Sequence, residues 1–202
     1  MIFRHSKRKD FMPPANELKF RVVFLYSEED FESDPAKFWH KFGKKEYDRM
    51  ESFVNKKKEL EADVAQIVSP GDAPELKLQK IYARVGQIRN LSYETRKTEE
   101  EEKRDKLKHP ENAAEVMKLG YGPGDAITGT FLGLARAAGL ESYGLMLSRR
   151  SEYFFDEKRM NKQELDSNAV LVKVNGKDLY FDPGAKFVPM ACCHGRNPVC
   201  AE

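Results

Sequence analysis

Cysteine is nearly absent from this chain. The only three, Cys192, Cys193 and Cys200, fall in the last eleven of 202 residues. A disulfide framework would spread its cysteines through the chain, so the body is expected to fold without one. No apolar run approaches the roughly 18 residues a bilayer crossing needs, which argues against a membrane span. An excess of one charge sign is also missing. Lys and Arg number 35 against 33 Asp and Glu, a formal net charge of +2. Nucleic-acid binding rests on concentrated positive surface, so no such partner is expected. The start, MIFRHSKRKDF, is basic but has no apolar stretch behind it and does not read as a secretory signal. The chain is therefore expected to be cytoplasmic or an internal piece of a longer polypeptide.

What is present is a chain with 40% hydrophobic and 11% aromatic residues, too many for a disordered protein. At roughly 150 residues per domain, its length allows one ordinary domain and an appendage. The mean hydropathy of −0.68 assigns much of the charge to helix faces and loops.

Leu18 to Tyr26, LKFRVVFLY, reads as a strand. Ser33-Asp34-Pro35 reads as a helix start, with Asp34 as N-cap and proline at the first helical position. Apolar residues at Trp39, Phe42, Met50, Phe53, Val54, Leu60, Val64 and Ile67 then predict one long amphipathic helix, with an interruption at Gly43. Trp39 and Phe42 are expected in its core face. Ser69-Pro70-Gly71-Asp72 ends it, and a second helix follows with Leu78, Ile81, Tyr82, Val85 and Ile88 on one face. Glu94 to His109 is almost wholly charged with both signs mixed, which reads as a solvated face.

Asn112 to Glu115 resembles a capping box opening a short helix that stops at Gly120. Tyr121 to Asp125 is expected as a turn. Ile127 to Ala138 is a helix with one charge, Arg136, and so is expected to be buried on nearly all sides before Gly139 closes it. Leu140 to Ser148 reads as a strand. Asn168 to Val174 and Lys177 to Asp182 read as two more, joined by Asn175-Gly176, a strong hairpin signal. Helices first and strands last argue for α+β, with an antiparallel sheet packed on the buried helix.

A helix N-terminus can stabilise a thiolate or an oxyanion on its first turn. A Cys-His-Asp enzyme places cysteine there, histidine opening one strand and aspartate closing the next. GYGPGDAITGTFLGLARAAGLESYGLMLS followed by NAVLVKVNGKDLYFDPG resembles, in that order, the catalytic core of the transglutaminase-like superfamily, a papain-like fold. That family's helix opens on a Gly-Asp-Cys type motif and ends as Leu-Leu-Arg-x-Ala-Gly. Here Leu134-Ala135-Arg136-Ala137-Ala138-Gly139 matches the end, and Asp182-Pro183 matches the close of the last strand. The upstream segments DPAKFWHKFGKKEYDRMESFV and APELKLQKIYARVGQIRNLSYE are similar to bacterial proteins that join such a core to a preceding β-rich domain. The resemblance spans about residues 17 to 189. It implies residues 1–33 as the end of a preceding unit, 34–110 as a helical lead-in, 111–189 as the core and 190–202 as a tail. It also implies bacterial relatives that are often exported.

The sequence departs from the family at the chemistry. The family's cysteine falls at or near Gly124, and its histidine falls at Asn168, whose amide takes no proton at ordinary pH. Only Asp182 remains. Asp125, at the helix start, is expected to be an N-cap rather than a nucleophile. Gly124, Asp125, Asn168 and Asp182 therefore outline a vestigial cleft with no catalytic residue assigned.

No cofactor and no metal are expected. Cys192, Cys193, His194 and Cys200 offer ligand chemistry, but adjacent cysteines lack the usual spacer. His5, His40 and His109 are expected at the surface. The resulting expectation is a non-catalytic domain that binds protein or peptide segments, or connects flanking domains of a longer chain. An acyl-transfer enzyme with an unidentified nucleophile is the competing reading, and a helical interaction module over 34–110 is a third.

Overall fold

The computed structural model describes residues 13–18, 20, 22, 24, 32–94, 107–185 and 190. Helix α1 is Ala15–Leu18, α2 Pro35–Val54, α3 Lys57–Ile67, α4 Pro74–Val85, α5 Ala113–Leu119 and α6 Gly124–Ala137. Strands β1 (Arg89–Asn90) and β2 (Tyr121–Gly122) pair in parallel. Strands β3 (Glu141–Leu147), β4 (Ser167–Val174) and β5 (Lys177–Phe181) form an antiparallel sheet in that order. The fold is α+β.

Local signals explain most of these boundaries. Asp34 caps α2, its carboxylate accepting from the Ala36 N–H at 2.9 Å, and Pro35 occupies the first turn. Asn112 caps α5 through the Glu115 N–H at 3.0 Å. Glu115 reaches back one residue further than in a capping box, to the Glu111 N–H at 2.9 Å. Gly120 and Gly139 end their helices at positive φ. Asn175 and Gly176 both have positive φ, the backbone of a type I′ hairpin turn.

Three expectations are corrected. The long helix breaks at Asn55-Lys56, not at Gly43, and the break lets Val54 and Leu60 both bury. Leu18 ends a helix rather than opening a strand, and residues 20, 22 and 24 belong to no strand. Phe20, Val22 and Phe24 are exposed, and no strand of the described residues pairs with them. The rest of that segment lies outside the described residues, as do most of the charged run 94–109 and all the tail cysteines. Tyr121-Gly122 is not a turn but strand β2, held on Arg89-Asn90.

The core forms around α6, whose residues Ala126 to Ala135 are all buried. Two glycines let other helices approach it. A Cβ on Gly129 would meet the Phe53 ring at 2.9 Å, and one on Gly133 would meet Leu60 Cδ1 at 2.9 Å. Val170, Val172 and Val174 alternate toward the helix from β4. Phe131 of α6 packs against Phe181 of β5, with ring centroids 5.1 Å apart, and Tyr82 of α4 joins them at 5.9 and 6.0 Å. Leu60, Leu78 and Ile81 from the earlier helices share this core. Arg136 ties three elements. Its guanidinium pairs with Glu51 of α2 at 2.5 Å and donates to the Ser142 carbonyl of β3 at 3.0 Å. The N-terminal α1 is held by a bidentate pair from Arg159 to Glu17, at 3.0 and 3.1 Å.

Candidate functional site

Helix α6 begins where β5 ends. The turn Asp182-Pro183-Gly184 leaves the sheet and brings Gly184 against Gly124, the first residue of the helix. A Cβ built on Gly124 would lie 2.9 Å from the Gly184 carbonyl oxygen and 3.6 Å from Ser92 Oγ. A Cβ on Gly184 would collide with the Gly124 carbonyl and lie 2.5 Å from Thr128 Oγ1. Two backbones approach this closely only where neither residue has a side chain.

Polar groups lock the contact. Asn90 donates from Nδ2 to the Gly184 carbonyl at 2.8 Å and accepts at Oδ1 from the Ser92 N–H at 3.0 Å. Ser92 Oγ in turn accepts from the Gly124 N–H at 2.9 Å. One of the donors left open at a helix start is thereby satisfied by a hydroxyl.

The four residues of the expected cleft are placed as follows. Gly124 opens α6, half-buried. Asp125 is exposed at the second helical position and makes no cap hydrogen bond; the residue in the cap position is Pro123. Asp125 is thus not the N-cap, because the helix starts two residues earlier than that role requires. Asp182 is buried, 8% exposed, directly after β5. Asn168 stands on the helix-facing side of β4, in line with Val170 and Val172. Val170, two residues further along β4, is the last residue of that strand paired with β5, opposite Phe181.

Thr128 links the two parts of this region. One turn into α6, its Oγ1 donates to the Gly124 carbonyl at 3.0 Å. It also lines, with Asn168, an open cavity of about 420 Å³ between α2, α6 and the sheet. Trp39, Phe42 and Met50 form the α2 wall of that cavity. Trp39 and Phe42 are therefore half-buried lining residues rather than core, because they face this cavity, whereas Val54 at the far end of α2 is buried. A second cavity of about 440 Å³ lies on the other side of the helix start, bounded by Tyr82, Ile88, Tyr93, Ile127 and Pro183.

The chemistry available is that of amides, hydroxyls and apolar walls. Asn168 cannot serve as a proton acceptor in place of an imidazole. The three cysteines and His194 lie outside the described residues, and among the described residues no group of three or more His, Cys, Asp or Glu is placed to hold a metal ion. His40 and His109 are exposed. Asn90, Ser92, Thr128 and Gly184 were not marked by the sequence. The signals they offered were a short Asn-Leu-Ser run and a glycine after Asp-Pro, both common in ordinary turns.

No family model matches the chain, and no curated protein matches it. A solved structure from Parabacteroides distasonis, described as a candidate protease, is 15% identical with a TM-score of 0.49. The match covers 65% of this chain and 25% of that one, so this chain spans about a quarter of that protein's length. A likeness at this level carries no argument about activity. No described helix is long and apolar enough to cross a membrane.

Proposed function

We propose that the chain carries a transglutaminase-like core of papain type whose cleft does not catalyse, and that the domain binds protein or peptide segments within a longer polypeptide. The order of elements supports the core: a buried helix, then three antiparallel strands, with the Asp182-Pro183 end returning to the start of the helix. We take residues 111–189 as that core and 34–110 as its helical lead-in.

The observation that carries the non-catalytic reading is the closure at Gly124. A nucleophile at the helix start needs a Cβ and room for a substrate carbonyl above it. At Gly124 that volume holds the Gly184 backbone, 2.9 Å from where the Cβ would be. At the position of the base stands Asn168, an amide.

The test is an acyl-transfer assay on the full chain. Glutaminyl peptide with a primary amine, and blocked peptides alone, are incubated before and after complete alkylation of Cys192, Cys193 and Cys200. The expected result is no turnover above buffer in either state. Turnover abolished by alkylation would establish a thiol enzyme, and turnover that survives it would establish a different nucleophile; either result ends the non-catalytic reading.

A further inference from the structure

The cavity between α2, α6 and the sheet has apolar walls from Trp39, Phe42, Met50, Leu132, Met146 and Leu165. At about 420 Å³ it falls within the range of ligand pockets. Its charged lining is internally matched. Glu51 pairs with Arg136 at 2.5 Å, and Glu46 with Arg49 at 2.8 Å. A ligand entering here therefore meets no uncompensated charge among the described lining residues. An ionised group would lose its hydration with no partner in return.

At two positions in this lining the choice of residue is not explained by the fold. The side-chain amide of Asn168 forms no hydrogen bond among the described residues, although it is half-buried and faces the cavity. Gly43 stands inside a 20-residue helix, where glycine is the poorest helix former after proline. No close approach requires it, since a Cβ there would meet nothing within 4 Å. What the absent side chain leaves is open space on an exposed stretch of α2 that borders the cavity.

We infer that this cavity takes a neutral, apolar side chain of an extended peptide, with the peptide's main-chain amide paired to the Asn168 carboxamide. A primary amide both donates and accepts, which is the complement of a peptide group. The indole of Trp39 is held in the cavity lining: its Nε1 donates to the Glu157 carbonyl at 2.8 Å, and Phe42 and Phe155 meet it edge-on at 5.8 and 5.1 Å. The inference takes its class of partner from the peptide-binding reading above and adds the place and the specificity.

Trp39 is the only tryptophan of the chain, so its emission reports on this cavity alone. The probes are blocked tripeptides, acetyl-Ala-Xaa-Ala-amide, with Leu, Phe, Lys or Glu at the centre. The Leu and Phe peptides are expected to shift Trp39 emission saturably, and the Lys and Glu peptides to bind at least about tenfold more weakly. Gly43→Leu puts a side chain into the open space while favouring the helix, so it should abolish the response without lowering the melting temperature. Asn168→Ala should weaken the Leu peptide about fivefold, the effect of one neutral hydrogen bond.

A response that ignores the central residue, or that survives Gly43→Leu in full, overturns the inference. The same outcome without peptide turnover leaves the non-catalytic reading standing. Saturable, apolar-selective binding accompanied by amide cleavage supports the cavity assignment and ends the non-catalytic reading.

Discussion

The Cβ that Gly124 lacks would stand 2.9 Å from the carbonyl oxygen of Gly184, so the first residue of the buried helix and the turn that leaves the sheet share one space. This contact closes the helix start, where the proposed reading puts a nucleophile, and it sets the sign of the first prediction.

Alanine normally stabilises a helix by about 1 kcal/mol relative to glycine. At Gly124 the sign should reverse. Gly124→Ala and Gly184→Ala are each expected to destabilise by about 1–3 kcal/mol, because the added methyl meets backbone that cannot give way as a side-chain end can. Gly124→Cys is expected to do the same without creating thiol-dependent activity. Thermal unfolding measures the first effect, and a Gly124→Ala protein as stable as the parent would refute the close approach.

Asn90 serves the contact from below, bonding both the Gly184 carbonyl and the Ser92 N–H. Asn90→Ala leaves two backbone groups to find other partners. A loss of about 1–3 kcal/mol is expected by chemical denaturation. Asn90→Asp should also destabilise, since a carboxylate cannot donate to a carbonyl.

Arg136 belongs to the motif that suggested a family resemblance, yet its described contacts are structural. It joins α6 to Glu51 of α2 and to the Ser142 carbonyl of β3. Arg136→Met keeps much of the stem and removes the charged hydrogen bonds. The expected cost is about 1–3 kcal/mol, and Glu51→Gln should cost less because the Ser142 bond remains. Equal effects from the two variants would show that the bond to Ser142 contributes nothing.

Acid should loosen the turn between α3 and α4. The hydrogen bond from Lys80, with that from the Ser69 N–H, holds the Asp72 carboxyl below its ordinary value of 3.8. A depressed carboxyl contributes stability that is complete above its ordinary value and is lost as pH falls through the folded one. Lys80 is half-exposed and screened, so the contribution is small. Asp72→Asn should be slightly less stable than the parent at neutral pH, and the two unfolding curves should converge in strong acid. Curves that stay parallel through the acid range would remove this group as a source of acid sensitivity.

Much of the fold was legible because its signals are local. Asp34 with Pro35, Asn112, Gly120, Gly139 and Asn175-Gly176 each act within a turn or two of themselves, and each appears where the sequence places it. The buried helix was legible for a different reason: a stretch whose only charges are Asp125 at its start and Arg136 near its end can satisfy no solvated face. The break at Asn55-Lys56 was not legible, because the apolar period of α2 runs into that of α3 and only the packing of Val54 and Leu60 onto α6 separates them.

Of the cleft, the sequence by itself determined the chemistry it lacks. An amide at 168 and a glycine at 124 exclude the imidazole and the thiol from those two positions whatever the fold. Tertiary structure alone decided that Gly124 is closed by Gly184, and that Asn168 opens instead onto a cavity walled by Trp39 and Phe42. The reason is distance along the chain. Side-chain chemistry is a property of one residue, whereas close approach and free volume depend on segments that meet only after the helix and the sheet have packed.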